Sequence, residues 1–180
     1  MGVSGATPCV VLLTGPPGAG KTTVGGLLAR RFPRGVHLEG DVFRRSIVSG
    51  RLELTPDASP DAYAQLRLRY RLAAAAADTY AEDGFAVVVE DVVAGPLLDE
   101  YAALFRTQPL HVVVLLPSPA AVAARDAGRA ASGYDRWDVG ELHRGFAEGT
   151  PRRGLWLDTS DETPEQTVET ILHRLPEARA

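Results

Sequence analysis

Eight consecutive residues, Gly15-Pro16-Pro17-Gly18-Ala19-Gly20-Lys21-Thr22, reproduce the spacing G-x-x-x-x-G-K-[ST] in full. A glycine-rich turn of this kind opens into a helix, and its backbone N–H groups point inward carrying partial positive charge, so it can cradle a chain of phosphates. Lys21 would then reach the β- and γ-phosphates, and the Thr22 hydroxyl would hold Mg2+ with Thr23 assisting. Lys21 is the only lysine in the chain; every other cationic side chain of the Lys/Arg type is arginine. Arginine cannot replace lysine as a compact point charge between phosphates. A turn with an incidental Lys-Thr pair is the bland alternative, and the strand before it and the helix after it argue against that.

Moving a phosphoryl group to a hydroxyl also needs a carboxylate that orients the hydroxyl and takes its proton. Asp41, in His37-Leu38-Glu39-Gly40-Asp41, follows a short apolar run, with Gly40 expected to allow a tight turn beside a ligand. Asp41 is therefore the candidate base and acceptor-binding residue; its alternative role is to cap a helix starting near Val42-Phe43. Glu90 and Asp91 follow Val87-Val88-Val89, and strand alternation turns them to opposite faces. Glu90 is assigned to the Mg2+ side and Asp91 to the substrate side.

Arg125 and Arg129 share a helix face, with Arg136 further on and Gly128 and Gly133 as hinges, so residues 125–137 are expected to form a mobile lid. Arg125 and Arg129 would bring guanidinium charge to the transferring group, Arg129 also touching the nucleotide; solvation or pairing with Asp126 is the competing reading. Thr159 and Ser160, in Asp158-Thr159-Ser160-Asp161, stand where an adenine ring would lie.

The elements that must position these groups follow from hydrophobic spacing. Residues 8–14 form a continuous apolar run, the pattern of a parallel strand buried on both faces. Further strands are predicted at 36–38, 85–89, 110–116 and 155–157. Val24, Leu27, Leu28 and Phe32 recur at helical spacing; a long helix is predicted at 61–82, another from about 117 to 128, and a last amphipathic one opened by Thr163-Pro164-Glu165. Strands alternating with helices mean a three-layer α/β/α sandwich on a parallel sheet, with the ligand beyond the carboxyl ends of the strands.

At 180 residues and 45% hydrophobic content, one domain over 1–180 is expected. A net charge of −4 without a basic run gives no footprint for nucleic acid or membrane, which points to a small-molecule partner. The single cysteine, Cys9, excludes an internal disulfide, and the four histidines show no metal-ligand spacing. The first residues lack the charged and apolar regions of a signal peptide, and runs such as 110–117 are too short to span a bilayer, so a cytoplasmic location is expected.

With GPPGAGKTT, LEGDVFR, VVVEDVV followed by Gly95, the arginines at 125–136 and WLDTS in this order, the chain resembles the P-loop kinase group that includes chloramphenicol 3-O-phosphotransferase, gluconate kinase, shikimate kinase and the zeta toxins. Chloramphenicol phosphotransferase-like proteins, also described as AAA-type ATPases, are the nearest in pattern over almost the whole length. The resemblance implies a five-stranded sheet in the order 2-3-1-4-5, Mg-ATP as donor, and Asp41 as base. Residues 44–71 and 92–105, which should wall the acceptor pocket, carry no pattern tied to one substrate. Arg45, Arg51, Arg67 and Arg71 could line it and favour an anionic acceptor, or be solvated. The function expected is transfer from Mg-ATP to a hydroxyl of a metabolite or antibiotic. The alternatives are a nucleotide 5′-hydroxyl or polynucleotide kinase, and a non-catalytic ATP-binding regulatory or toxin-like module.

Overall fold

In a computed structural model, which describes residues 8–127 and 138–180, the five apolar runs become five parallel strands. They are β1 (Val10–Thr14), β2 (Gly35–Glu39), β3 (Ala86–Glu90), β4 (Leu110–Leu115) and β5 (Leu155–Leu157), hydrogen-bonded in the order β2-β3-β1-β4-β5. Sequence spacing locates each to within a residue or two. β1, β3 and β4 are buried along their whole length, which is why they read as unbroken apolar runs rather than alternating ones.

Helices cover both faces. One core layer packs Val10, Leu12, Val87 and Val89 against α3 (Pro60–Glu82) and α4 (Leu97–Ala102), with Phe146 of α6 (Val139–Gly149). The other packs Val11, Leu13, Val88 and Val113 against α1 (Lys21–Ala29) and α7 (Pro164–Arg174). Each fully buried Val or Leu contributes about 1.5–3 kcal/mol relative to exposure. Two further helices, α2 (Asp41–Arg45) and α5 (Pro119–Ala127), stand at the ends of β2 and β4.

Helix ends follow local chemistry. Ser59 caps α3 by accepting from the Ala62 N–H at 3.2 Å, Pro60 sits at the first helical position, and Gly84 follows the C-cap with φ 87°. The inward stripe of α3 is Ala62, Leu66, Tyr70, Ala73 and Ala77, whose small residues let the helix lie close to the sheet. Thr163 and Gln166 form a reciprocal capping box on α7. No helix among the described residues is long and apolar enough to cross a membrane.

Candidate active site

At the carboxyl ends of β1, β2, β3 and β5 lies an open cleft of about 650 Å³. One wall is the glycine-rich loop. Gly20 adopts φ 90°, a left-handed conformation that a side chain would strain, and it is the N-cap of α1, where no side chain caps the helix. The start of α1 is thus open to an anion in the cleft. Lys21 Nζ donates to the carbonyls of Gly15 at 3.0 Å and Pro16 at 2.9 Å, which arches the loop around the ammonium. Thr14 Oγ1 donates to Val93 O at 3.1 Å and accepts from Val93 N at 3.0 Å, so the chain leaving β3 is fastened beside the loop.

Glu90 and Asp91 diverge at the end of β3. Glu90 turns toward α1, where its Oε1 accepts from Thr22 Oγ1 at 2.7 Å; its Oε2 is buried without a partner. This hydroxyl and carboxylate form an oxygen donor set suited to a hard divalent cation, which would take its other ligands from phosphate and water. Glycines at the close approaches, an uncapped helix start, Lys21 and this pair together fit Mg-ATP. Asp91 turns toward α3, where its Oδ1 accepts from Arg69 Nη2 at 2.6 Å and from the Val92 N–H at 2.8 Å. Burial pushes the Asp91 carboxyl up to about 6, against the opposing pull of Arg69 and the Val92 N–H.

Asp41 is the first residue of α2, whose N-cap is Gly40 with no side-chain cap, so the capping alternative fails. The carboxylate instead faces three arginines: Arg44 Nε at 2.6 Å, Arg45 Nη1 at 3.1 Å and Arg69 Nη1 at 3.6 Å. Burial raises its pKa, but the Arg44 hydrogen bond and the charges of Arg44, Arg69 and Arg45 outweigh that and hold it below the usual value. Gly40 itself has φ −58° and ψ −30°, ordinary helical values, so the turn does not require glycine. Space does: a Cβ there would overlap Asp91 Oδ2.

Arg125, on α5, lines the cleft together with the phosphate loop, and its Nη2 donates to the carbonyls of Thr159 at 2.6 Å and Ser160 at 3.4 Å on the loop after β5. Thr159 is buried and lines the cleft with Arg125; Ser160 Oγ accepts from the Ser118 N–H at 2.8 Å and bonds Asp158. Thr23 is exposed at the cleft, and Arg45 lines it beside Glu39. Arg51 pairs with Glu53 and Arg67 with Glu100, and neither lines the cleft; Arg71 is exposed elsewhere on α3. Arg129 and Arg136, with residues 128–137 of the expected lid, lie outside the described residues.

Sequence reasoning missed Arg69 and Arg44. Arg69 falls three residues after Leu66 and four before Ala73, at the edge of the inward stripe of α3, and a charge at that spacing beside an apolar stripe is the signal that could have found it. Arg44 lies three residues after Asp41 on the same helix, a spacing that brings opposite charges together.

Residues 10–144 match the AAA domain family. Solved structures of similar fold include an unliganded sugar kinase from Janibacter sp. HTCC2649, at 18% identity and TM-score 0.71 over 95% of this chain and 96% of that one. They also include the Deinococcus radiodurans tunicamycin resistance protein, at 19% and 0.67 over 97% and 99%. A third is the Mycobacterium tuberculosis APS kinase in complex with AMPPNP and APS, at 20% and 0.66 over 94% and 98%. No curated protein matches the sequence. The phosphate loop, the strand order and the match over residues 10–144 agree: the chain belongs to the AAA domain family and has the fold of the P-loop kinase group.

Proposed function

We propose that the protein is an ATP-dependent phosphotransferase that moves the γ-phosphoryl group of Mg-ATP onto a hydroxyl of a small molecule, a metabolite or an antibiotic. The observation that carries this reading is that Asp41 and Asp91, bridged by Arg69, line the same cleft as Lys21 and Thr22. A pure nucleotide-binding module needs only the second pair. The names of the structural neighbours, a sugar kinase, an APS kinase and an antibiotic resistance protein, support a small hydroxylated acceptor.

The phosphate loop and Lys21 bind the triphosphate, and Arg125 with Thr159 forms the adenine end of the cleft, Ser160 standing next to them on the same loop. Held by Thr22 and, through its hydration shell, by Glu90, Mg2+ would neutralise charge on the phosphate oxygens. Asp41 accepts a hydrogen bond from the acceptor hydroxyl and aligns its oxygen on the γ-phosphorus. As the new P–O bond forms and the bond to the bridging oxygen of ADP breaks, the hydroxyl proton passes to Asp41. Because the transition state of phosphoryl transfer is loose, orientation matters more than base strength, so an Asp41 kept ionised by arginines suffices. Arg69 and Arg45 orient Asp41, and Asp91 holds Arg69 in place. Arg129 is assigned to the transferring phosphoryl group.

The test is Mg-ATP turnover against hydroxylated metabolites, antibiotics and 5′-hydroxyl oligonucleotides, with Lys21→Ala as the blank. ADP release that depends on a small acceptor and vanishes in the blank is expected. Tight ATP binding with no acceptor response would instead favour a nucleotide-gated partner protein, and a response to oligonucleotides alone would favour an end-phosphorylating kinase.

A further inference from the structure

Among the described residues, nine large hydrophobic side chains are exposed, and four of them face one another: Leu52 (39% exposed), Leu54 (38%), Leu68 (38%) and Leu72 (43%) line a single groove of about 60 Å³ together with Phe43 and Ile47. Scattered surface leucines need no explanation, but a concentrated set marks a binding surface. Leu68 and Leu72 are one turn apart on α3, and Leu52 and Leu54 come from the segment between α2 and α3. That wall is fixed: Gln65 of α3 accepts from the Leu52 N–H at 2.9 Å and donates to the Gly50 carbonyl at 2.7 Å. Both ends of the amide are thereby occupied, and Arg44, also on the lining, is held by Asp41 and Glu53. The groove lining contains no carboxylate.

The groove adjoins the catalytic cleft at Arg69. Arg69 lines both, and Arg44 lines the groove while bonding the proposed base. We infer that this groove seats the apolar part of the acceptor, so that the acceptor class is a hydroxyl compound carrying a short alkyl or aryl tail, its hydroxyl at Asp41 and its tail past Arg69 among the leucines. This rests on the kinase reading above. A wholly hydrophilic acceptor would leave the leucines wet, whereas each methylene entering the groove lowers KM about fourfold.

Two measurements on the full chain test it. First, methyl-labelled protein is titrated with hexan-1-ol; saturable shifts at Leu52, Leu54, Leu68 and Leu72 are expected, with none at Leu104, which is exposed outside the groove. Second, each active acceptor is offered bare and as its hexyl or phenyl derivative. The derivative is expected to have a KM at least tenfold lower, and Leu72→Gln to reverse most of that gain. Turnover with no preference for the tail and no leucine shifts would overturn the groove and leave the kinase reading standing. Leucine shifts with no turnover of any acceptor would overturn the acceptor role and the kinase reading together, keeping only an apolar-ligand site. Shifts at these leucines that grow with protein concentration in the absence of hexan-1-ol would overturn the inference in favour of a second copy of the chain.

Discussion

Asp41 and Asp91 are two carboxylates on one arginine with opposite displacements, the first held low by three guanidinium groups and the second raised by burial. As pH falls, the proton therefore goes first to Asp91, near 6, while Asp41 stays ionised. Protonating Asp91 removes the charge that holds Arg69, so kcat/KM should decline on the acid side through about 6. In Asp91→Asn the rate should be lower but flat across that range; a retained acid limb in this variant would assign it elsewhere. Asp41→Asn, which keeps shape and loses the proton acceptor, should reduce transfer by roughly 10²–10⁴-fold. The phosphate loop and the place of Asp41 on the cleft were legible because their identity and spacing are themselves the signal. Arg69 was not, since nothing local marks it: its role comes from where a 23-residue helix crosses the ends of β2 and β3.

Among the elements, the junction of β2 and α2 has the narrowest tolerance. Gly40→Ala would drive a methyl into Asp91 Oδ2, which cannot retreat because Arg69 and the Val92 N–H hold the same carboxylate. Overpacking of this kind costs about 1–3 kcal/mol, so thermal unfolding should show a lower Tm together with reduced turnover. Sequence inspection assigned this glycine to a tight turn. The reason it is needed is a contact 51 residues away in the chain, which spacing cannot reveal. The strands were legible because burial on both faces leaves an unbroken apolar run. α6 was not read as a distinct helix, although Asp138 caps it by accepting from the Glu141 N–H at 2.8 Å, a D-x-x-E signature present in the sequence. Short α4 offers no such signal, being six residues placed by Leu98 and Tyr101 against the core.

For the whole molecule, the groups assigned a role among the described residues gather at the carboxyl ends of parallel strands, where the order β2-β3-β1-β4-β5 puts β3 beside β1 and so Glu90 beside Thr22. Ligand binding and folding are therefore linked: Mg-AMPPNP at 100 times its Kd should stabilise the chain by about 2.7 kcal/mol. For a domain of this size that is a rise in Tm of roughly 5–10 °C, and Lys21→Ala should abolish it. Phosphoryl transfer through Asp41 is tested most directly by following phosphorus resonance spectra of Mg-ATP with an active acceptor, for the wild type and Asp41→Asn side by side. A phosphomonoester of the acceptor should appear in step with ADP in the wild type and be nearly absent in Asp41→Asn, which still shows the Mg-AMPPNP rise in Tm. Equal phosphomonoester formation by the two proteins, or ADP with inorganic phosphate and no ester in the wild type, would contradict it.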